Sequence, residues 1–323
     1  MKGIEHVVSY AVEHPWNLTR SMLQIVAGIL ARRVAGDPID RAEIAAAIAN
    51  RKDLPQPRRG GNVAVIPIYG VLAPRMNLFS DISGGTTYQE LTTQLRDAVA
   101  DPAIGTIVLD IDSPGGSVAG NAEFAAEVMK VRAKKPIIAQ AQYTAASAAY
   151  QIAAAATEVV AAPSARIGGI GTFTIHDDLS AALEQRGIKR TFISAGEGKV
   201  DGHEAEPLSD SARARLQKAV DDAYGQFVAN VVRGRGAGVT NAIVRNDWKA
   251  HVYPAHEAKD IGMIDRVATL DETIARFTDA TVPTLTTTPT SRDTSQTARN
   301  GGSDQDRAVD PAIERFAFDL QLL

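Results

Sequence analysis

The chain has 323 residues, 45% of them hydrophobic and 22% charged, which is enough for one main domain with appendages. A formal net charge of −4 argues against broad electrostatic attachment to nucleic acid or to an anionic membrane surface. The absence of cysteine excludes disulfides, thiol catalysis and thiolate metal sites, and fits a reducing compartment.

Residues 1–61 read as a helical lead followed by a linker. Asn17 is placed to cap a helix running to about residue 34, and Asp40, with Glu43 three positions on, to cap another through residue 49. The apolar stretch 21–31 is too short to span a bilayer, which takes ~20 apolar residues, and Arg32 and Arg33 follow it. It reads as an amphipathic helix packed on protein, with no membrane partner.

From Val63 short apolar runs alternate with longer helical patterns. Strands are predicted over 63–68, 104–111, 137–141, 159–162, 171–175 and 189–193, and helices over 88–99, 123–133, 146–156 and 179–186. Ser209 or Asp210 opens a long helix through about residue 232, with Ala219, Tyr224, Phe227 and Val231 on its apolar face. A short helix over 255–259 precedes Gly262, and the compact region ends near residue 267. Such alternation predicts an α/β fold with right-handed crossovers and a mostly parallel sheet. Residues 278–323, rich in Thr, Pro, Ser, Asp and Gly before a short apolar end at 313–323, read as a disordered tail. The expected parts are therefore 1–61, 62–277 and 278–323.

The chemical signals lie in the middle part. Strand 104–111 runs into Asp112-Ser113-Pro114-Gly115-Gly116-Ser117, where Pro114 favours an extended Ser113 and two glycines permit close backbone approach. Ligands of parallel sheets gather at this carboxyl edge. Ser147 follows the next strand, in Thr144-Ala145-Ala146-Ser147-Ala148-Ala149-Tyr150, at the start of a helix. Lys199 comes 52 residues later in the glycine-rich Gly196-Glu197-Gly198-Lys199-Val200-Asp201-Gly202.

A serine attacks an amide at neutral pH only beside a base, and a lysine serves if burial strips its proton. Free lysine titrates near 10.4 and a working base needs roughly 7 to 8, so the site must disfavour the ammonium by about 3 to 5 kcal/mol. The amide of Gly115 or Gly116, with that of Ala148, is placed to hold the oxyanion; losing one such donor costs ~10² to 10³ in rate. His176 and His203, with Asp177, Asp178 or Asp201, leave a Ser-His arrangement open. The six histidines form no metal-binding spacing, and no cofactor is implied.

In order and spacing these motifs, with Gly168-Gly169-Ile170-Gly171, resemble the signal peptide peptidase A family of serine-lysine peptidases, which has the ClpP/crotonase fold, and within it the phage head maturation branch. The resemblance covers about 63–267. It implies Ser147 as nucleophile, Lys199 as general base, and Gly115, Gly116 and Ala148 around the oxyanion. Substrate is expected to add an extended strand near Gly168, Gly169, Ile170 and Gly171. Two departures from the family pattern involve three positions. Ala148 and Ala149 stand where glycines are common, and Gly169 stands where a serine commonly orients the lysine, a task left to Thr172, a backbone carbonyl or water.

The resulting expectation is a homo-oligomeric serine endopeptidase of the bacterial host cytoplasm and procapsid interior, cutting phage scaffold, portal or capsid protein. Its rivals are an inactive capsid-assembly scaffold and a signal-peptide-digesting peptidase.

Overall fold

A computed structural model describes residues 15–19, 57–75 and 85–278. The two expected N-terminal helices and the tail beyond 278 lie almost wholly outside them. Asn17 does fall inside, and it caps no helix: it sits in strand β1 (Trp16–Leu18). Strands β2 (Arg58–Gly60), β3 (Val63–Tyr69), β4 (Leu72–Ala73) and β5 (Thr86–Thr87) follow. Helix α1 (Tyr88–Ala100) starts at a capping box in which Thr87 and Glu90 satisfy each other's backbone amides.

Next come β6 (Thr106–Ser113), β7 (Gly115–Ser117), α2 (Asn121–Arg132), β8 (Ile137–Ala146), α3 (Ala148–Ala154), β9 (Glu158–Ala161) and β10 (Arg166–Gly168). A six-residue helix α4 (Ser180–Gln185) precedes the long α5 (Asp210–Arg235), capped by Ser209. A π-helical turn (Ile243–Trp248), β11 (Val252–Pro254), α6 (Ala255–Asp260), β12 (Arg266–Val267) and α7 (Leu270–Thr278) complete the described chain.

The main sheet has the order β11-β10-β8-β6-β3-β2, with β9 beside β8 and β12 beside β9. Its interior pairs are all parallel, as the buried runs of β6 and β8 require, and the antiparallel partners β2 and β11 stand at its edges. The period-2 geometry of a strand sorts the side chains. Ala64, Ile66, Ile107, Leu109, Ile137, Ala139 and Val159 pack under the helices. Val63, Val65, Val108, Ile138 and Val160 face the other way, against Leu270, Ile274 and Phe277 of α7.

Helix α7 is an element the sequence reading stops short of. Its signal is Thr269 with Glu272 three residues on, and the two do cap each other. Gln140 in β8 pins it, donating to Ala268 O at 3.0 Å and accepting from the Thr273 hydroxyl at 2.6 Å.

Two expected strands are absent. Residues 171–175 contribute a single bridge, Phe173 with Trp16, and 189–193 form no strand. The latter segment gains no sheet edge to pair with and leaves Ile193 98% exposed. On α5, Phe227 and Val231 are buried as expected, whereas Ala219 is exposed, because the first half of that helix projects beyond the core.

A second sheet, β1-β7-β4-β5, carries the glycine turn. Here β7 pairs antiparallel with β1, in the register Leu18 to Gly115 and Asn17 to Gly116, and parallel with β4. Residues on the N-terminal side of the expected boundary at 61 thus contribute β1 and β2 to the sheets of the following part.

The buried Asp110 accepts from the Tyr69 hydroxyl through Oδ2 at 2.6 Å, while its Oδ1 has no partner. Burial pushes its carboxyl above the usual range, against the Tyr69 hydrogen bond and the Arg58 charge. The native state then holds this proton more tightly than the unfolded chain, so stability falls as pH rises from about 4 through the raised value. Asp110→Asn removes that loss. Urea unfolding should find it more stable than the parent at pH 7 by on the order of 1 kcal/mol, with the difference shrinking below pH about 4.

Candidate active site

Ser147 stands where β8 ends and α3 begins. Its φ of 56° lies in the left-handed region, one of two non-glycine residues there among those described. Such backbone costs of order 1–3 kcal/mol and persists only where neighbours enforce it. The neighbours here are explicit. The Ser147 amide donates to Gly168 O at 2.7 Å, and its carbonyl accepts from Gln151 at 3.1 Å, the first turn of α3. The side chain is fully buried, and its hydroxyl has no hydrogen-bond partner among the described residues.

Helix α3 is fixed from behind. Tyr150 donates its hydroxyl to Met263 O at 2.8 Å and meets Trp248 edge-on. The Arg132 guanidinium bonds Ala155 O, Ala156 O and Gly234 O, closing the carboxyl end of α3 against α5. At Gly234 a Cβ would stand 2.2 Å from Ala154 O, so α5 touches α3 at backbone distance.

The predicted oxyanion residues converge on this point. A Cβ on Gly115, at φ +104°, would lie 2.9 Å from Ser147 Cβ and 3.0 Å from the Ala148 amide nitrogen. A Cβ on Gly116 would lie 2.0 Å from Leu72 O, so glycine is required at both places. The Gly115 amide donates to Ser113 Oγ at 3.2 Å. Ala148 N–H belongs to the first turn of α3, before the helix's own backbone bonds begin.

On the opposite side, Gly168 is the last residue of β10 and Gly169 has φ +68°. A Cβ at Gly169 would sit 3.3 Å from the Ser147 amide nitrogen, directly against Ser147. Ile170 is buried, and Gly171 and Thr172 are half-buried.

Lys199 is elsewhere in character. It lies in an exposed turn over 196–202, its amide bonded to Gly196 O, beside the ion pair of Asp201 and Arg215. The free Ser147 hydroxyl means that Lys199 does not bond it within one chain. His176 and His203 are engaged elsewhere: His176 Nε2 meets His203 O at 3.2 Å, and the His203 ring lies tilted against Phe192. The segment between α4 and α5 also exposes Ile188 and Ile193.

A serine at a strained strand-to-helix corner, with glycine backbone on both sides, is the layout of a peptidase nucleophile site. The model of peptidase family S49 matches residues 129–282, a span that includes both Ser147 and Lys199. It is 30% identical to the capsid assembly protease C of Escherichia phage lambda, over 87% of this chain and 66% of that protein. It is 31% identical to the head-tail preconnector protein of Enterobacteria phage P21, over 70% of this chain and 46% of that one. Protease 4 of Salmonella typhi is 29% identical over 67% of this chain and 34% of its own length. The chain thus spans less than two thirds of the length of each of these three relatives. A solved enoyl-CoA hydratase from Shewanella pealeana aligns over 72% of this chain and 76% of its own, at 14% identity and a TM-score of 0.42. No helix among the described residues is long and apolar enough to cross a membrane.

The orphan hydroxyl has a thermodynamic signature. A buried polar group without a partner costs about 1–3 kcal/mol, and replacing it by an apolar group of similar shape recovers part of that. Ser147→Ala should therefore raise unfolding free energy by about 1 kcal/mol in a urea titration. A loss of stability would show that the hydroxyl is satisfied in solution.

Proposed function

We propose that the chain is a serine endopeptidase in which Ser147 attacks the scissile carbonyl and Lys199 accepts the hydroxyl proton and returns it to the leaving amine. Water then releases the acyl-enzyme. The observation that carries this reading is Ser147 itself: buried, unbonded, at positive φ, with Ala148 N–H and the Gly115-Gly116 backbone beside it. A structural serine would satisfy its hydroxyl and adopt ordinary backbone.

Substrate binds as an extended strand along 168–173, with Gly168, Gly169, Ile170 and Gly171 lining its path. Lys199 reaches Ser147 from a neighbouring copy in a homo-oligomer. In support, its segment exposes Ile188, Phe192 and Ile193, more apolar surface than a lone chain keeps in one arm. An apolar interface would also desolvate the ammonium, which a base of this kind needs. The proposed substrates are phage scaffold, portal or capsid proteins, processed in the host cytoplasm and procapsid interior; similarity to a phage capsid assembly protease supports this.

Purified chain incubated with its cognate scaffold and portal proteins should yield discrete fragments by mass spectrometry. Ser147→Ala and Lys199→Ala should each reduce cleavage by about 10³-fold or more. Mixing the two inactive variants should restore part of the activity if the dyad forms between copies, and none if it forms within one. Cleavage that survives Lys199→Ala would turn the search to His176 or His203. Binding of both proteins without cleavage by any form would leave an assembly scaffold.

A further inference from the structure

Strand β1 occupies a place that a strand of the core would not need to fill. It is held on both edges. Trp16 exchanges two backbone bonds with Phe173, at 2.8 and 3.0 Å, on one side. On the other, Thr19 N–H donates to Pro114 O at 3.1 Å and Val118 N–H to Pro15 O at 3.3 Å. Antiparallel pairs alternate, so with 19/114 and 15/118 bonded, Asn17 and Gly116 form the bonded pair between them. The Asn17 carbonyl therefore faces the Gly116 amide. It also lies 2.1 Å from the point where a Gly115 Cβ would be, and Ser147 Cβ lies 2.9 Å from that same point.

Segment 15–19 thus runs between the glycine strand and the 168–173 edge, presenting a main-chain carbonyl beside Ser147. Its side chains are committed too. Trp16, Asn17 and Leu18 are 1%, 2% and 7% exposed, and Thr172, a candidate to orient the lysine, donates its hydroxyl to Asn17 Oδ1 at 2.7 Å. Phe173 has no other strand partner among the described residues, so without β1 its edge is open. In sequence, 38 residues separate Thr19 from Arg58, where the chain rejoins the sheet.

We infer that residues 15–19 are a built-in occupant of the peptide channel, a tethered inhibitor that a substrate strand must displace before its scissile bond can reach Ser147. This rests on the reading of 168–173 as the substrate edge. A channel filled in most molecules weakens apparent substrate affinity by the fraction left open. Emptying it should therefore tighten binding in proportion.

The test uses Ser147→Ala protein, which cannot cleave, so that the peptidase reading and this one fail separately. A fluorescein-labelled synthetic peptide spanning residues 13–21 is titrated by anisotropy into that protein and into its Asn17→Pro derivative, which has no amide to donate to Gly116 O and so loses one of the two bonds of that pair. At least tenfold tighter binding to the derivative is expected. In parallel, the Trp16→Phe copy of the peptide is titrated into Ser147→Ala protein with native β1. The chain has two tryptophans, Trp16 and Trp248, and displacement of the buried Trp16 should shift emission to the red. Equal or weaker binding by a folded Asn17→Pro derivative, no binding to either form at millimolar peptide, or saturation without an emission shift would each overturn the inference. If Asn17→Pro fails to fold, the emission titration on native β1 decides.

Discussion

The amide of Ser147 donating to Gly168 O is the bond on which the site depends. It joins the end of β8 to the end of β10 where their parallel ladder stops, and it forces the chain to turn with φ of 56° before α3 can begin. A residue in that conformation needs surroundings that leave it no alternative. Those surroundings are backbone rather than side chain: Gly168 and Gly169 in front, Gly115 above, and α3 locked behind by Tyr150 and Arg132. The alanines on either side of Ser147, at 145, 146, 148 and 149, follow from the same geometry, since each is fully buried and larger groups would part the elements that enforce the turn.

The two halves of the proposed chemistry live in different physical regimes. The serine belongs to the densest part of the molecule, where its position is set by backbone contacts and its hydroxyl is left unbonded. The lysine belongs to a segment with little core of its own, standing in water beside an Asp201–Arg215 pair. A lysine loses its proton readily only when desolvated. In the proposed reading, one folded chain thus builds the surroundings of Ser147 while Lys199 stays in an exposed turn. The proposed association through the exposed apolar residues of that segment would bring the two together without disturbing the core.

The second sheet shows how economically backbone edges are used. Strand β7 has two edges; β4 takes one, and the other receives β1 where an extended peptide would lie. Any strand can answer the same amides and carbonyls, because a ladder recognises main chain before it reads side chains. In the proposed reading, a segment of the same polypeptide and a substrate strand thus compete for one edge.

The α/β class was legible in the sequence, because buried parallel strands must be short continuous apolar runs and their crossover helices must carry a 3.6-residue stripe. The meeting of Ser147 with the glycine turn was legible too, since small residues and glycines mark places where backbones meet closely; Lys199, singled out beside them, stands in an exposed turn. The sequence also misled at identifiable points. Asn17 reads as a helix cap because its type favours one, yet it pairs as a strand with Gly116, 99 residues away. The run 189–193 has strand-forming residues, but propensity decides nothing where no neighbouring edge is in reach, and 171–175 pairs only at Phe173, with Trp16. Residue types and spacing determined which groups could do chemistry. Tertiary structure alone decided which of them meet, because the strained turn at Ser147, the exposure of Lys199 and the docking of β1 all arise from contacts between segments distant in the chain.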